Sequence, residues 1–157
     1  MNPEQYFFRY AWPCTEMLLI RKKISEVRYK ELKFSAESNI TPSRKILEDT
    51  YKTAISQLKK ISSDYWHIPV IRKYFLEEHN RFIDSGEPEI AKCTPAQREL
   101  CKVYTGVVGE VKKAGDYDVV IVRYGKSERR CINLYGLELK KGDAVTVHYN
   151  FVIEKKR

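Results

Sequence analysis

Tyr117-Asp118-Val119-Val120-Ile121-Val122-Arg123-Tyr124-Gly125-Lys126-Ser127-Glu128-Arg129-Arg130-Cys131-Ile132-Asn133-Leu134 is the stretch that decides the fold. Two runs rich in Val, Ile and Tyr flank a short, polar, glycine-bearing turn, which is the signature of an antiparallel hairpin. Outward from it, Val107 to Lys113 and Ala144 to Ile153 carry the same strand-like composition. Ala114-Gly115-Asp116 and Lys141-Gly142-Asp143 supply turns of the same kind. Four or five short strands within roughly 55 residues bury a core only by curling on themselves. The spacing therefore predicts a small antiparallel OB-like β-barrel over residues 101–157.

Upstream of Val103 the period is helical, so the fold class is α+β: an N-terminal helical bundle followed by the barrel. Thr15 is placed to cap a first helix with Met17, Ile20, Ile24 and Val27 on one side. Thr41 and Pro42 read as the N-cap and first residue of a second helix, with Leu47, Tyr51, Ala54, Leu58 and Ile61 as its apolar stripe. A third helix from Pro69 carries Ile71, Tyr74, Phe75, Glu78 and Phe82 and ends at Ser85-Gly86. Residues 87–100 form a linker and a short helix opened by the capping box Thr94-Pro95-Ala96-Gln97. The expected organisation is thus a helical domain over 1–86, the linker over 87–100 and the barrel over 101–157.

The chain has 157 residues, 43% hydrophobic and 32% charged, a globular balance with no disordered or low-complexity stretch. No apolar run approaches the ~20 residues of a membrane span, and Arg9, Pro13 and Glu16 interrupt the first segment where a secretory signal needs an unbroken apolar core. The expectation is a cytoplasmic protein with no membrane association. Cys14, Cys93, Cys101 and Cys131 form no Cys-x-x-Cys pair, and with only three histidines a preformed all-protein metal cage is not expected. Of the net charge of +8, the larger part lies in residues 95–157, where 13 Lys/Arg face 8 Asp/Glu. That balance is compatible with weak, nonspecific nucleic-acid contact and does not demand it.

Three blocks resemble the HypC-type chaperones of nickel–iron hydrogenase maturation. Cys101-Lys102-Val103-Tyr104-Thr105-Gly106-Val107-Val108 is similar to the family's opening Cys-Leu-Ala-Ile-Pro-Gly segment, with the same Cys-to-Gly spacing. Val120 to Leu134 matches its strand–Gly–strand with a terminal Asn-Leu. Leu139-Lys140-Lys141-Gly142-Asp143-Ala144-Val145-Thr146-Val147-His148-Tyr149-Asn150-Phe151-Val152-Ile153 follows its Val-Gly-Asp-Tyr-Val-Leu-Val-His-x-Gly-Phe-Ala-Ile pattern. The resemblance implies an accessory chaperone that works by binding rather than as an enzyme. Its partner would be a HypD-like scaffold or a metalloenzyme precursor, during assembly of an iron centre. No cofactor is held tightly; iron passes through. The family's essential cysteine falls on Cys101 and its implicated histidine on His148, so these two are the candidate iron-binding residues, with Lys102 and Gly106 beside them. A soft thiolate suits low-valent iron, and a neighbouring cation favours the thiolate.

A second reading takes the barrel as a binder of RNA or single-stranded DNA, with Arg129 and Arg130 on phosphates and Tyr104 and Tyr124 as stacking surfaces. A third, a thiol enzyme built on Cys101, has no local Cys/His/Asn signature behind it. Each candidate also has an ordinary structural reading. Cys101 would then be a small core residue at a junction, His148 an outward polar position on a strand, and the tyrosines filling for a small barrel.

Overall fold

The computed structural model describes residues 1–157, apart from the side chain of Glu89. The chain divides into two compact units, Met1–His79 and Asn80–Arg157. Among the described residues, no helix is long and apolar enough to cross a membrane.

The first unit is helical and is organised around an aromatic core. Its opening helix α1 (Pro3–Ala11) has Asn2 as N-cap, whose side chain accepts from the Gln5 amide at 2.8 Å, and Pro3 in the first turn. It buries Phe7 and Tyr10 completely. The Phe7 ring centroid lies 5.2 Å from Trp66, 5.7 Å from Tyr51 and 5.8 Å from Phe75, in the tilted and edge-on geometries that aromatic quadrupoles favour.

The expected first helix is two helices. After a 3₁₀ turn at Trp12–Cys14, α2 (Thr15–Ile20) stops at Arg21, Lys22 takes a left-handed φ of 57°, and Ser25 caps a new helix, α3 (Glu26–Glu37), by accepting from the Arg28 amide. Thr15 is no cap: its hydroxyl lies 2.7 Å from the Tyr51 hydroxyl in the core.

The second expected helix is also divided, into α4 (Arg44–Thr50) and α5 (Lys52–Ile61). Its cap is Ser43, whose hydroxyl accepts from the Ile46 amide, so Thr41 and Pro42 precede the helix rather than opening it. Tyr51 leaves helical geometry at the joint, and the buried stripe runs Leu47, Tyr51, Ile55, Leu58, with Ile55 in the place expected of Ala54.

The third helix is α6 (Ile68–Lys73), a π-helical turn (Tyr74–Glu78) and α7 (His79–Asp84), ended by Gly86 at φ 74°. The π turn, in which the His79 amide bonds back to the Tyr74 carbonyl, adds one residue to the helical repeat. The buried positions therefore run Ile71, Tyr74, Phe75, then His79 and Ile83, one residue later than the expected Glu78 and Phe82.

The second unit carries α8 (Pro88–Ala91), α9 (Pro95–Cys101) and the barrel. Its boundary at Asn80 lies upstream of the expected domain limit. The Asn80 side chain bonds both main-chain groups of Val103, donating to the carbonyl and accepting from the amide, each at 2.8 Å. The strands are β1 (Val103–Ala114), β2 (Tyr117–Tyr124), β3 (Ser127–Asn133), β4 (Ala144–His148) and β5 (Phe151–Lys155). They close in the order β1-β2-β3-β5-β4, with β4 returning to β1 and only β3 and β5 parallel. This is the five-stranded barrel of the expected fold class. The run expected as one strand from Ala144 to Ile153 is a hairpin, turned at Tyr149, which adopts φ 52°.

The long first strand serves two sheet corners. Val103–Val107 pair with β4 and Val107–Ala114 with β2, with a bulge between Val108 and Glu110. Val108, Val120, Val122, Cys131, Val145, Val147 and Val152 fill the interior, and Tyr104, Val111, Leu137 and Leu139 pack against them.

Candidate functional site

The capping box predicted for α9 is present, with Thr94 and Gln97 bonding each other's main-chain amides at 3.2 and 2.9 Å. That cap fixes where α9 begins, and Cys101 is its last residue. Two carbonyls of the final turn are satisfied by the β4–β5 hairpin. The Tyr149 amide donates to Leu100 and His148 Nε2 to Cys101, the latter at 2.8 Å. A carbonyl oxygen only accepts, so this contact places a proton on Nε2. His148 is fully buried, not the outward strand position of the ordinary reading.

The same turn meets the cysteine side chain. Cys101 Sγ and the Tyr149 hydroxyl lie 2.7 Å apart, and Cys101 is partly exposed. Either group can donate across this contact, so the thiol and Tyr149 form one hydrogen-bonded unit. By contrast Cys131 is sealed in the barrel, and burial pushes its thiol up to about 12.

Lys102 is held by two carboxylates. Its Nζ lies 2.9 Å from both Asp84 and Glu99, and those bonds hold its pKa well above the ordinary lysine value. Glu99 also accepts from the Tyr104 hydroxyl, and the bonds from Tyr104 and Lys102 keep its carboxyl below the usual range. Burial, reinforced by the bond to Glu99, raises Tyr104 to about 12.

Tyr104, Tyr124 and Arg129 occupy inward-facing positions at the end of their strands. The two tyrosine rings stack with centroids 4.7 Å apart at 15°. The Arg129 guanidinium lies 5.7 Å from one centroid and 5.4 Å from the other, and its Nη1 donates to the Tyr149 carbonyl at 2.9 Å. The end of the barrel is thereby plugged by a network running from Asp84 through Lys102, Glu99, Tyr104, Tyr124 and Arg129 to Tyr149 and Cys101. Its two cations face two carboxylates.

Five of the sequence-predicted residues, Cys101, Lys102, Tyr104, Tyr124 and Arg129, thus meet at one barrel end, with His148 directly beneath. The other two lie apart. Gly106 is buried within β1, where a Cβ would sit 2.6 Å from Val122 Cγ1 and 2.7 Å from the Arg123 carbonyl oxygen. Its place is explained by close strand approach at a barrel corner. Arg130 is exposed on the outer face of β3, opposite Ile121. As for the nucleic-acid reading, Tyr104 and Tyr124 stack one face of each ring on the other, and Arg129 lies beside the stack, 5.7 and 5.4 Å from the two centroids.

Sequence reasoning missed Glu99 and Asp84, whose carboxylates set the charge of the site. Glu99 stands three residues before Lys102, a helical pairing legible in the sequence, whereas Asp84 is joined to Lys102 only by the fold. At the opposite end of the barrel an open groove of about 460 Å³ runs between Tyr117, Asp118, Asn133 and Leu137, and none of the predicted residues line it. No family model, curated protein or solved structure matches the chain.

Proposed function

We propose that the C-terminal unit is a HypC-like docking module, in which the barrel end around Cys101 meets a protein partner during assembly of a metal centre. The observation that carries this reading is the partly exposed residue Cys101, its sulfur held 2.7 Å from the Tyr149 hydroxyl at the rim of a closed barrel. It adds to the likeness of the Cys101–Val108 and Leu139–Ile153 blocks to the maturation chaperones. The partner is a HypD-like scaffold or a metalloenzyme precursor, and the cargo is iron. Cys101 supplies one thiolate to that iron while the partner supplies the remaining ligands.

His148 acts through the main chain. With Nε2 on the Cys101 carbonyl rather than on the sulfur, the imidazole fixes the residue that carries the thiol. The same geometry favours binding over catalysis, since that ring nitrogen is not aimed at the sulfur as a general base must be.

The test is a time course of alkylation on native protein, followed by capture of an iron-bearing HypD-like scaffold. Cys101 is expected to label in the folded state and Cys131 only after denaturation. Cys101→Ala is expected to abolish capture and leave the melting temperature nearly unchanged. Labelling of Cys101 only on unfolding, with a melting temperature several degrees lower in the variant, would show a core residue and sink the proposal.

A further inference from the structure

The barrel is closed, yet one of its strands keeps an open edge. On one side β3 pairs with β2 along its whole length, from Asp118↔Asn133 to Tyr124↔Ser127. On the other side its ladder with β5 holds a single pair, Ile132↔Phe151. The β2–β3 hairpin therefore continues past the β4–β5 turn as a two-stranded ribbon.

The direction of the main-chain groups on that ribbon follows from two independent observations. The Ile132 amide donates to the Asn150 carbonyl at 2.7 Å, so Ile132 faces away from β2. In a strand, alternate residues share a direction, so Arg130 and Glu128 face the same way. The hairpin register agrees. A two-residue turn at Gly125-Lys126 makes Tyr124 and Ser127 the closing hydrogen-bonded pair, which directs Ser127, Arg129 and Cys131 to β2 and leaves Glu128 and Arg130 outward. Both residues are exposed, and the Arg130 side chain forms no ion pair among the described residues.

We infer that this edge accepts an extended segment of a partner protein, added as a strand beside β3. An exposed edge is a template for main-chain pairing, and two amides and two carbonyls in strand register are matched by another strand and by no small ligand. The chemistry of the segment follows from its surroundings. On the outer face an added side chain lies beside Arg130, with Lys126 at the turn and the partly buried Ile121 and Ile132 behind them. Glu128 is already paired with Arg123 at 3.5 Å. The face thus selects an acidic residue beside Arg130 and an aliphatic residue two positions along, beside Ile132. This inference stands on the main chain of β3 and does not rest on the thiol reading.

The test is amide hydrogen exchange on the full chain, read residue by residue by NMR, with a panel of synthetic peptides that carry an acidic and an aliphatic residue two positions apart. In the protein alone, the Glu128 and Arg130 amides are expected to exchange fast and those of Arg129 and Cys131 slowly. A peptide of the panel should slow the Glu128 and Arg130 amides by roughly tenfold or more while changing the others little. Glu128→Pro, which removes an outward amide together with the exposed pair to Arg123, should fold and abolish the effect at Arg130. Arg130→Glu should transfer the preference to peptides carrying lysine in place of glutamate. The inference is overturned if those two amides are already as protected as Arg129, or if no peptide of the panel slows them. It is equally overturned if an oligothymidine strand slows them and the peptides do not.

Discussion

Gly106→Ala separates packing from binding at a position that the sequence alone places in the binding segment. The added Cβ would lie 2.6 Å from Val122 Cγ1 and 2.7 Å from the Arg123 carbonyl oxygen, with the Arg123 carbonyl carbon at 3.3 Å. Val122 is fully buried in the barrel core and the oxygen belongs to the β2 backbone, so neither can swing aside. Overpacking of this kind costs roughly 1–3 kcal/mol, and two immovable contacts put the expectation at about 3. For a domain this small each kcal/mol lowers the melting temperature by about 4–8 °C, so a loss of roughly 12–24 °C is expected in the barrel. Gly109→Ala is the control, because the nearest atom there is Nε of the mobile Arg123 side chain at 3.2 Å. It should shift melting by only a few degrees. Because the chain has two units, unfolding is best followed on the valine methyl signals of the barrel by NMR. Unchanged barrel melting with lost partner capture in Gly106→Ala would refute the packing argument and return Gly106 to the binding surface. Equal losses at Gly106 and Gly109 would show that backbone freedom, not close approach, governs both.

In the helical unit, Leu58→Ala should cost about 2–5 kcal/mol because Leu58 is wholly buried, while the exposed neighbour Lys59→Ala should cost less than about 0.5 kcal/mol; chemical denaturation distinguishes them. Glu48 accepts from the Trp66 indole and the Tyr65 hydroxyl, both at 2.8 Å, and these bonds depress its pKa. Its contribution is therefore complete above the unfolded carboxyl value of about 4.3 and disappears as pH falls through the lower folded value. Acid titration followed by Trp66 fluorescence should show that step, and Glu48→Gln should remove it. If His148 positions Cys101 through its carbonyl, His148→Ala should change the native alkylation rate of Cys101, and His148→Gln, which keeps a donor, should restore it. Identical rates in the two variants would assign His148 to packing alone.

The barrel was legible because its signals are local. Alternating Val and Ile on β2 and β3, the Gly125 turn and the Thr94–Gln97 capping box each announce themselves within a few residues, and each is found where expected. The errors have equally local causes that composition does not encode. A stripe read at a constant helical period cannot anticipate the extra residue of the π turn at Tyr74–Glu78, which moves the core from Glu78 and Phe82 to His79 and Ile83. A run from Ala144 to Ile153 with no glycine gives no warning of a reversal at Tyr149, a residue type that seldom takes a positive φ. The opening helix also carries a local signal, Asn2-Pro3 ahead of Tyr6, Phe7 and Tyr10.

That reversal at Tyr149 is also what makes the candidate site. A straight strand through residues 144–153 would direct the Tyr149 side chain across the sheet from His148 and leave Cys101 at a bare helix end. The left-handed turn instead lets one residue work in three ways: its amide caps the Leu100 carbonyl, its carbonyl accepts from Arg129, and its hydroxyl meets the Cys101 sulfur. The strained backbone of a non-glycine residue costs of order 1–3 kcal/mol and persists only where the surroundings over-determine it. Here three contacts supply that determination, at the residue nearest the one accessible-thiol candidate of the barrel. Replacing Tyr149 with glycine would relax the backbone and remove the hydroxyl together, whereas Tyr149→Phe removes the hydroxyl alone. The two variants should therefore diverge in stability but agree in their effect on Cys101 alkylation. An alkylation rate that Tyr149→Phe leaves unchanged would show that the turn is held for folding and that the thiol does not depend on the phenol.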